Sequence, residues 1–293
     1  MNRKRTVLLY GRSRAGKTAL LAELAEWLKK LTGKKSLLNY IDKGGLGPII
    51  PLIELGVVDL NEQLATDPWI FMNKVSTGQV RDSSGKWVKA DLSQYAMIAN
   101  ESMTGFSDAF MNSLAQKSAD GINIGGAANV GFTVVDGTDS LKVGGNNMGH
   151  YNVVQNRILD EVWRSQKLDV PYVVWTASAS RDEDPNSSGK VIGPAIAGKA
   201  LTAEMLRQFD LTFRVDCTPA TAQKGEEHIL YLGNSVDLAS GNAVSLGNTR
   251  VPMGASPLPA NIKPASLVGA IQLIEKAEKE AKEVIKKRLE EKK

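Results

Sequence analysis

The sequence predicts an α/β fold built on a mainly parallel sheet flanked by helices. Three observations carry this. Residues 6–10 form an apolar run of strand type, a stretch with leucines at helical spacing follows from Lys17, and a second strand-like run spans residues 36–41. Strand, loop, helix, strand is a βαβ unit, which requires parallel strands with a helix packed on them.

The first helix carries Leu20, Leu21, Leu24, Leu28 and Leu31 on one face, and Gly33 stops it in the C′ position. Residues 69–75 are expected to form a strand. Residues 95–99 form another, entering a helix near 105–114. The stretch 121–149 is rich in Gly and Asn. Within it, residues 132–135 and 140–143 flank Asp136-Gly137-Thr138-Asp139, the pattern of a β-hairpin insertion with a Gly-bearing turn. Residues 151–165 read as a helix whose apolar surface comes from Val154, Ile158, Val162 and Trp163. A strongly apolar central strand is expected at 171–177, and later strands at 211–215 and 228–232.

The organisation is then one domain over residues 1–251, interrupted by the insertion at about 121–149. A proline-containing extended strap follows at 252–264, and a charged C-terminal helix at 265–293. In that helix Leu267, Ile271, Ile274, Ala281, Ile285 and Leu289 recur at near-heptad spacing, and Glu275–Lys279, Glu278–Lys282 and Glu283–Lys287 are favourable i,i+4 pairs. The apolar stripe is firm at its start and thins later. The first part is therefore expected to dock, and the end to project.

Composition removes several classes. With 293 residues, 42% hydrophobic and 23% charged, the chain is ordinary globular material, neither collagen-like, mucin-like nor disordered. Its one cysteine, Cys217, excludes an intrachain disulfide and a Cys-based zinc site, and is expected to be a small apolar filler near a strand end. His150 and His228 lie far apart without helical ligand spacing, which argues against a His-rich metal site or a Ser-His-Asp enzyme. No run of about eighteen apolar residues exists, so no membrane span or membrane partner is expected. The basic start of the chain leads into a run too soon interrupted by Gly11, Arg12 and Arg14 to be a signal peptide, so a cytoplasmic location is expected. A net charge of +4 permits nucleic-acid binding without arguing for it.

Chemistry enters with Gly11-Arg12-Ser13-Arg14-Ala15-Gly16-Lys17-Thr18, a match to G-x-x-x-x-G-K-[ST]. The glycines let backbone N–H groups turn inward around a phosphate, and the following helix N-terminus adds its dipole. Lys17 would reach β- and γ-phosphate oxygens, and the Thr18 hydroxyl would ligate Mg²⁺. The motif follows a predicted strand and opens a predicted helix, which separates it from a glycine-rich turn that binds nothing.

Such a site needs an acid at the end of a neighbouring strand. Glu101 and Asp136 are the candidates. Asp136 has the tidier apolar run before it but sits in hairpin-turn chemistry, so Glu101 is preferred. Its plain alternative is a surface acid at a helix start. Thr176, near the end of the apolar strand, could sense the γ-phosphate or simply bond to backbone. Arg181, Lys199, Arg207 and Arg250 could each serve a neighbouring subunit's nucleotide. Lys199 and Arg250 stand out because each lies in a glycine-containing loop segment.

The P-loop, Ile98-Ala99-Asn100-Glu101-Ser102-Met103-Thr104, Val174-Trp175-Thr176-Ala177 and the segment from Ile192-Gly193-Pro194 to Gly198-Lys199-Ala200-Leu201-Thr202 together resemble phage-encoded RecA-like nucleotide-binding ATPases. Some of these act in single-strand annealing and recombination. The resemblance runs from about residue 6 to residue 250. It implies a RecA-type core, ATP with Mg²⁺, self-assembly into a homo-oligomer, contact with single-stranded DNA, and a host-cytoplasmic setting. The acid followed by Ser supports Glu101 over Asp136, although family members more commonly carry Asp there. Rival readings are a virion-assembly or packaging ATPase, a non-hydrolysing nucleotide-binding scaffold, and a small-molecule kinase with Arg181-Asp182-Glu183-Asp184 as a faint lid.

Overall fold

The computed structural model describes residues 4–41, 45–63, 67–119, 131–136, 139–144, 148–183, 190–197, 200–218, 225–232, 235–236, 243–244, 248–249 and 257–290. The chain opens with β1 (Arg5–Gly11), α1 (Lys17–Thr32), β2 (Lys35–Tyr40), α2 (Ile50–Glu54), β3 (Val58–Glu62) and α3 (Pro68–Ser76). The small hairpin β4 (Gln79–Arg81) and β5 (Trp87–Lys89) leads to β6 (Tyr95–Glu101) and α4 (Met103–Ala119). Next come the hairpin β7 (Gly131–Asp136) and β8 (Asp139–Gly144), then α5 (Met148–Gln166), β9 (Tyr172–Glu183), β10 (Lys190–Pro194), α6 (Ala200–Met205), β11 (Leu211–Thr218) and β12 (Glu227–Tyr231). Short strands β13 (Ser235–Val236), β14 (Ala243–Val244), β15 (Asn248–Thr249) and β16 (Asn261–Ile262) precede the terminal α7 (Leu267–Glu290).

The expected α/β architecture is present. The main sheet runs β16-β12-β11-β1-β9-β6-β2-β3. The six strands from β11 to β3 pair in parallel, and β12 and β16 continue the edge antiparallel. β1 lies between β11 and β9, so both faces of the sheet must be covered there. Its side chains alternate accordingly. Val7 and Leu9 pack with Leu21 and Leu24 of α1, Phe213 and Ile271; Leu8 and Tyr10 pack with Phe71, Phe106, Val154 and Trp175 on the other face. Among the described residues no helix is long and apolar enough to cross a membrane.

Several local expectations are corrected. Residues 69–75 are helix, not strand. Asp67 caps α3 by accepting hydrogen bonds from the N–H groups of Trp69 and Ile70, and Pro68 occupies its first turn, where no donor is needed. Leu31 leaves the buried face of α1 and is 55% exposed in the helix's last turn. Trp163 is half exposed as well, its indole N–H donating to Gln208. The apolar strand 171–177 does not end at Ala177 but continues to Glu183, because its second half pairs with β10. Cys217 is only partly buried and is no core filler.

The strap joins the sheet through β16, and the Leu232 N–H donates to the Ala260 carbonyl. α7 lies on α1. Glu23 of α1 caps it, accepting from the Ser266 hydroxyl at 2.6 Å and the Leu267 N–H at 2.8 Å. Leu267, Ala270, Ile271, Ile274, Ala277 and Ala281 are buried, whereas Ile285 and Leu289 are exposed.

Candidate functional site

The site forms at the carboxyl end of β1. Gly11 ends the strand, and a Cβ there would stand 2.2 Å from the Val215 carbonyl oxygen of β11. No other residue allows that approach. Arg14 (φ 63°) and Gly16 (φ 97°) turn the backbone through the left-handed region, and α1 begins at Lys17. No side chain caps α1 and its first turn holds no acid. The N-terminal N–H groups of a helix lack intrahelical acceptors, so this end is built to receive an anion.

The Lys17 ammonium donates to the Gly11 carbonyl at 3.0 Å and the Arg12 carbonyl at 2.9 Å. The Thr18 hydroxyl donates to Glu101 Oε1 at 2.7 Å. Glu101 ends β6 and is 6% exposed. β9 lies between β1 and β6, so loop and acid converge across an intervening strand. A cavity of about 530 Å³ opens here, lined by Ser13, Arg14, Gly16, Lys17, Thr18, Ala19, Gly45, Pro48, Glu101, Ser102 and Ser178.

Thr176 is not part of this lining. It is fully buried inside β9, and its hydroxyl has no hydrogen-bond partner among the described residues. Ser178, two residues on, pairs with Gly11 and reaches the cavity. Ser178 escapes the sequence pattern because the apolar run ends at Ala177. Thr104 ties this region together: the Ser178 N–H donates to its hydroxyl, which donates to the Ala195 carbonyl. The Ala197 N–H donates to Ser107, so the Gly193-Pro194 segment is anchored on α4. Lys199 and Arg250 lie outside the described residues. Asp136 ends β7 opposite Asp139, in a hairpin that is not part of the main sheet.

Burial pushes the Tyr10 hydroxyl up from its ordinary value, the nearby Arg214 pulling the other way, so the phenol beside the loop stays neutral. The donor set fits a magnesium nucleotide. It offers a hydroxyl and a carboxylate at one point, with oxygen ligands of the kind Mg²⁺ takes, beside an ammonium and an uncapped helix end.

The profile of the family described as "AAA domain" matches residues 3–244. No curated protein matches the chain in sequence. Among solved structures, the crystal structure of the RadB recombinase aligns with a TM-score of 0.42 at 12% sequence identity, over 83% of this chain and 90% of that one.

Proposed function

Because the chain belongs to the AAA domain family, we propose that it binds ATP with Mg²⁺ in the cavity at the end of β1 and hydrolyses it. The observation that carries this is the 2.7 Å hydrogen bond from Thr18 to Glu101. It brings the hydroxyl after the phosphate-binding lysine and the acid at the end of β6 to one point at the mouth of the loop.

In this reading the backbone N–H groups from Arg12 to Thr18 cradle the phosphates. Lys17 exchanges its loop carbonyls for β- and γ-phosphate oxygens, offsetting charge that develops as the γ-phosphoryl group leaves. Thr18 and Glu101 hold the magnesium ion, which neutralises phosphate charge when bound. Glu101 also orients the attacking water, and Ser178 takes the γ-phosphate-facing position that the sequence pattern assigned to Thr176. Lys199 and Arg250 would serve the nucleotide of an adjacent subunit in a homo-oligomer.

Action on single-stranded DNA, in recombination or annealing, is supported by the sequence resemblance at residues 98–104, 174–177 and 192–202. A phage source and a host-cytoplasmic location rest on the same resemblance. The test is ATP turnover with and without single-stranded DNA, on wild type and on Glu101→Gln. Turnover that DNA stimulates, and that Glu101→Gln loses while still binding ATP, is the expected result. ATP binding without turnover under either condition would leave a nucleotide-binding scaffold instead.

A further inference from the structure

We propose that Cys217, Glu226 and His228 form a binding site for a divalent transition-metal ion of the Zn²⁺ class, attached to the back of the phosphate-binding loop. Strand geometry brings the three together. β11 and β12 are antiparallel, with Cys217 directly opposite His228. Directly opposed residues share a face of the sheet, and a residue two positions away returns to that face. Glu226 stands immediately before β12, two residues ahead of His228, and its carboxylate lies beside the pair. One ligand atom from each residue lies within 4.8 Å of the others. Tetrahedral ligands at Zn–S and Zn–N lengths stand about 3.5 Å apart, so side-chain rotation alone closes the set.

A second observation comes from the imidazole. His228 Nδ1 lies 3.0 Å from the Ala15 carbonyl oxygen. A carbonyl only accepts, so Nδ1 is the donor, and in the neutral imidazole Nε2 is the nitrogen with the lone pair. Nε2 is the nitrogen on the Glu226 side, 4.0 Å from Oε2. A backbone carbonyl holding one ring nitrogen while the other faces further ligand groups is the usual support of a metal-binding histidine. Here that carbonyl belongs to the phosphate-binding loop itself.

The ligand chemistry separates this site from the one at Thr18 and Glu101. A thiolate and an imidazole select zinc-like ions, whereas Mg²⁺ takes oxygen ligands. On binding, the Cys217 S–H bond breaks, the proton leaves to water, and the sulfur lone pair forms the metal bond. Three protein ligands leave a fourth position for water. Glu226 is exposed and the other two are partly exposed, so an ion enters without displacing the core. Cys217 is the chain's only cysteine, so no intrachain disulfide competes for it.

The inference is independent of turnover, and its test reads the metal directly. The full-length chain, with Mg²⁺ in excess, is titrated with Co²⁺ and then with Zn²⁺. One equivalent of Co²⁺ should bind with thiolate-to-cobalt charge-transfer absorption, and Zn²⁺ should displace it. Cys217→Ser should abolish that absorption and weaken Zn²⁺ at least about tenfold. Glu226→Gln, a change on an exposed side chain that the fold tolerates, should keep the absorption and weaken binding. The proposal is overturned if wild type shows no thiolate absorption, or if both variants bind Zn²⁺ like wild type.

Discussion

The two ends of β1 are built from the same strand and differ in every polar contact. At the amino end, Arg5 makes a two-pronged ion pair with Glu278 of α7, at 2.8 and 3.3 Å. Thr6 exchanges three hydrogen bonds with Asp210, two into its carboxylate and one from its backbone N–H. These partners come from elements far away in sequence and are satisfied without a ligand. At the carboxyl end, Lys17 falls back on carbonyls of its own loop and Thr18 leans on Glu101, around an open cavity. One end holds the register of the sheet. The other keeps its polar groups on partners from its own loop and from Glu101, at the rim of the cavity, where the proposed phosphate would replace them. The run Val7–Tyr10 between them is fully buried and paired on both sides, which fixes where the loop begins.

The contrast can be broken most severely from the amino side. Ending the chain at Pro264 removes α7, with the buried Leu267, Ile271 and Ile274 and the buried alanines Ala270, Ala277 and Ala281. At about 1.5–3 kcal/mol per large buried side chain, the loss is at least about 5 kcal/mol, comparable to the whole stability of a domain. Thermal unfolding should show no cooperative transition, while ending the chain after Glu280 should leave both the transition and ATP binding. The carboxyl end should respond differently. Lys17→Ala should lower ATP turnover at least about a hundredfold and leave the melting temperature unchanged. A smaller effect is expected from Asp210→Ala, which removes both carboxylate bonds to Thr6 and leaves the one from the backbone N–H: about 2 kcal/mol less stability in denaturant, with unchanged turnover per folded molecule. The smallest concerns the hairpin. Asp136→Asn should alter neither turnover nor stability beyond about 0.5 kcal/mol, and a large turnover loss there would move the acid role away from Glu101.

What the sequence made legible was what neighbours in the chain decide. Strand, loop and helix around Gly11 to Thr18 lie within one βαβ unit, and Glu101 follows the apolar run 95–99 after a single residue, Asn100. Local chemistry also failed locally: Trp69, Phe71 and Val75 look like a strand until Asp67 and Pro68 are read as a cap and a first turn. The remaining misses are non-local. Gly11 is required by Val215, which only the β1–β11 pairing brings near. Ser178 depends on β10 extending its strand. The juxtaposition of Cys217 with His228 is likewise invisible to separate counts of cysteines and histidines, because that pairing exists only in the folded hairpin.

The direction of α7 has a practical consequence. It starts against Glu23, in the second turn of the helix that opens at the cavity, and reaches Arg5, at the amino end of β1, by Glu278. The helix therefore runs away from the cavity mouth. Nine further residues follow Ala281, its last buried position, so Glu290 stands about 14 Å along the axis beyond it. A tether, fluorophore or affinity handle placed on that end would anchor the molecule to a surface with the cavity mouth facing outward.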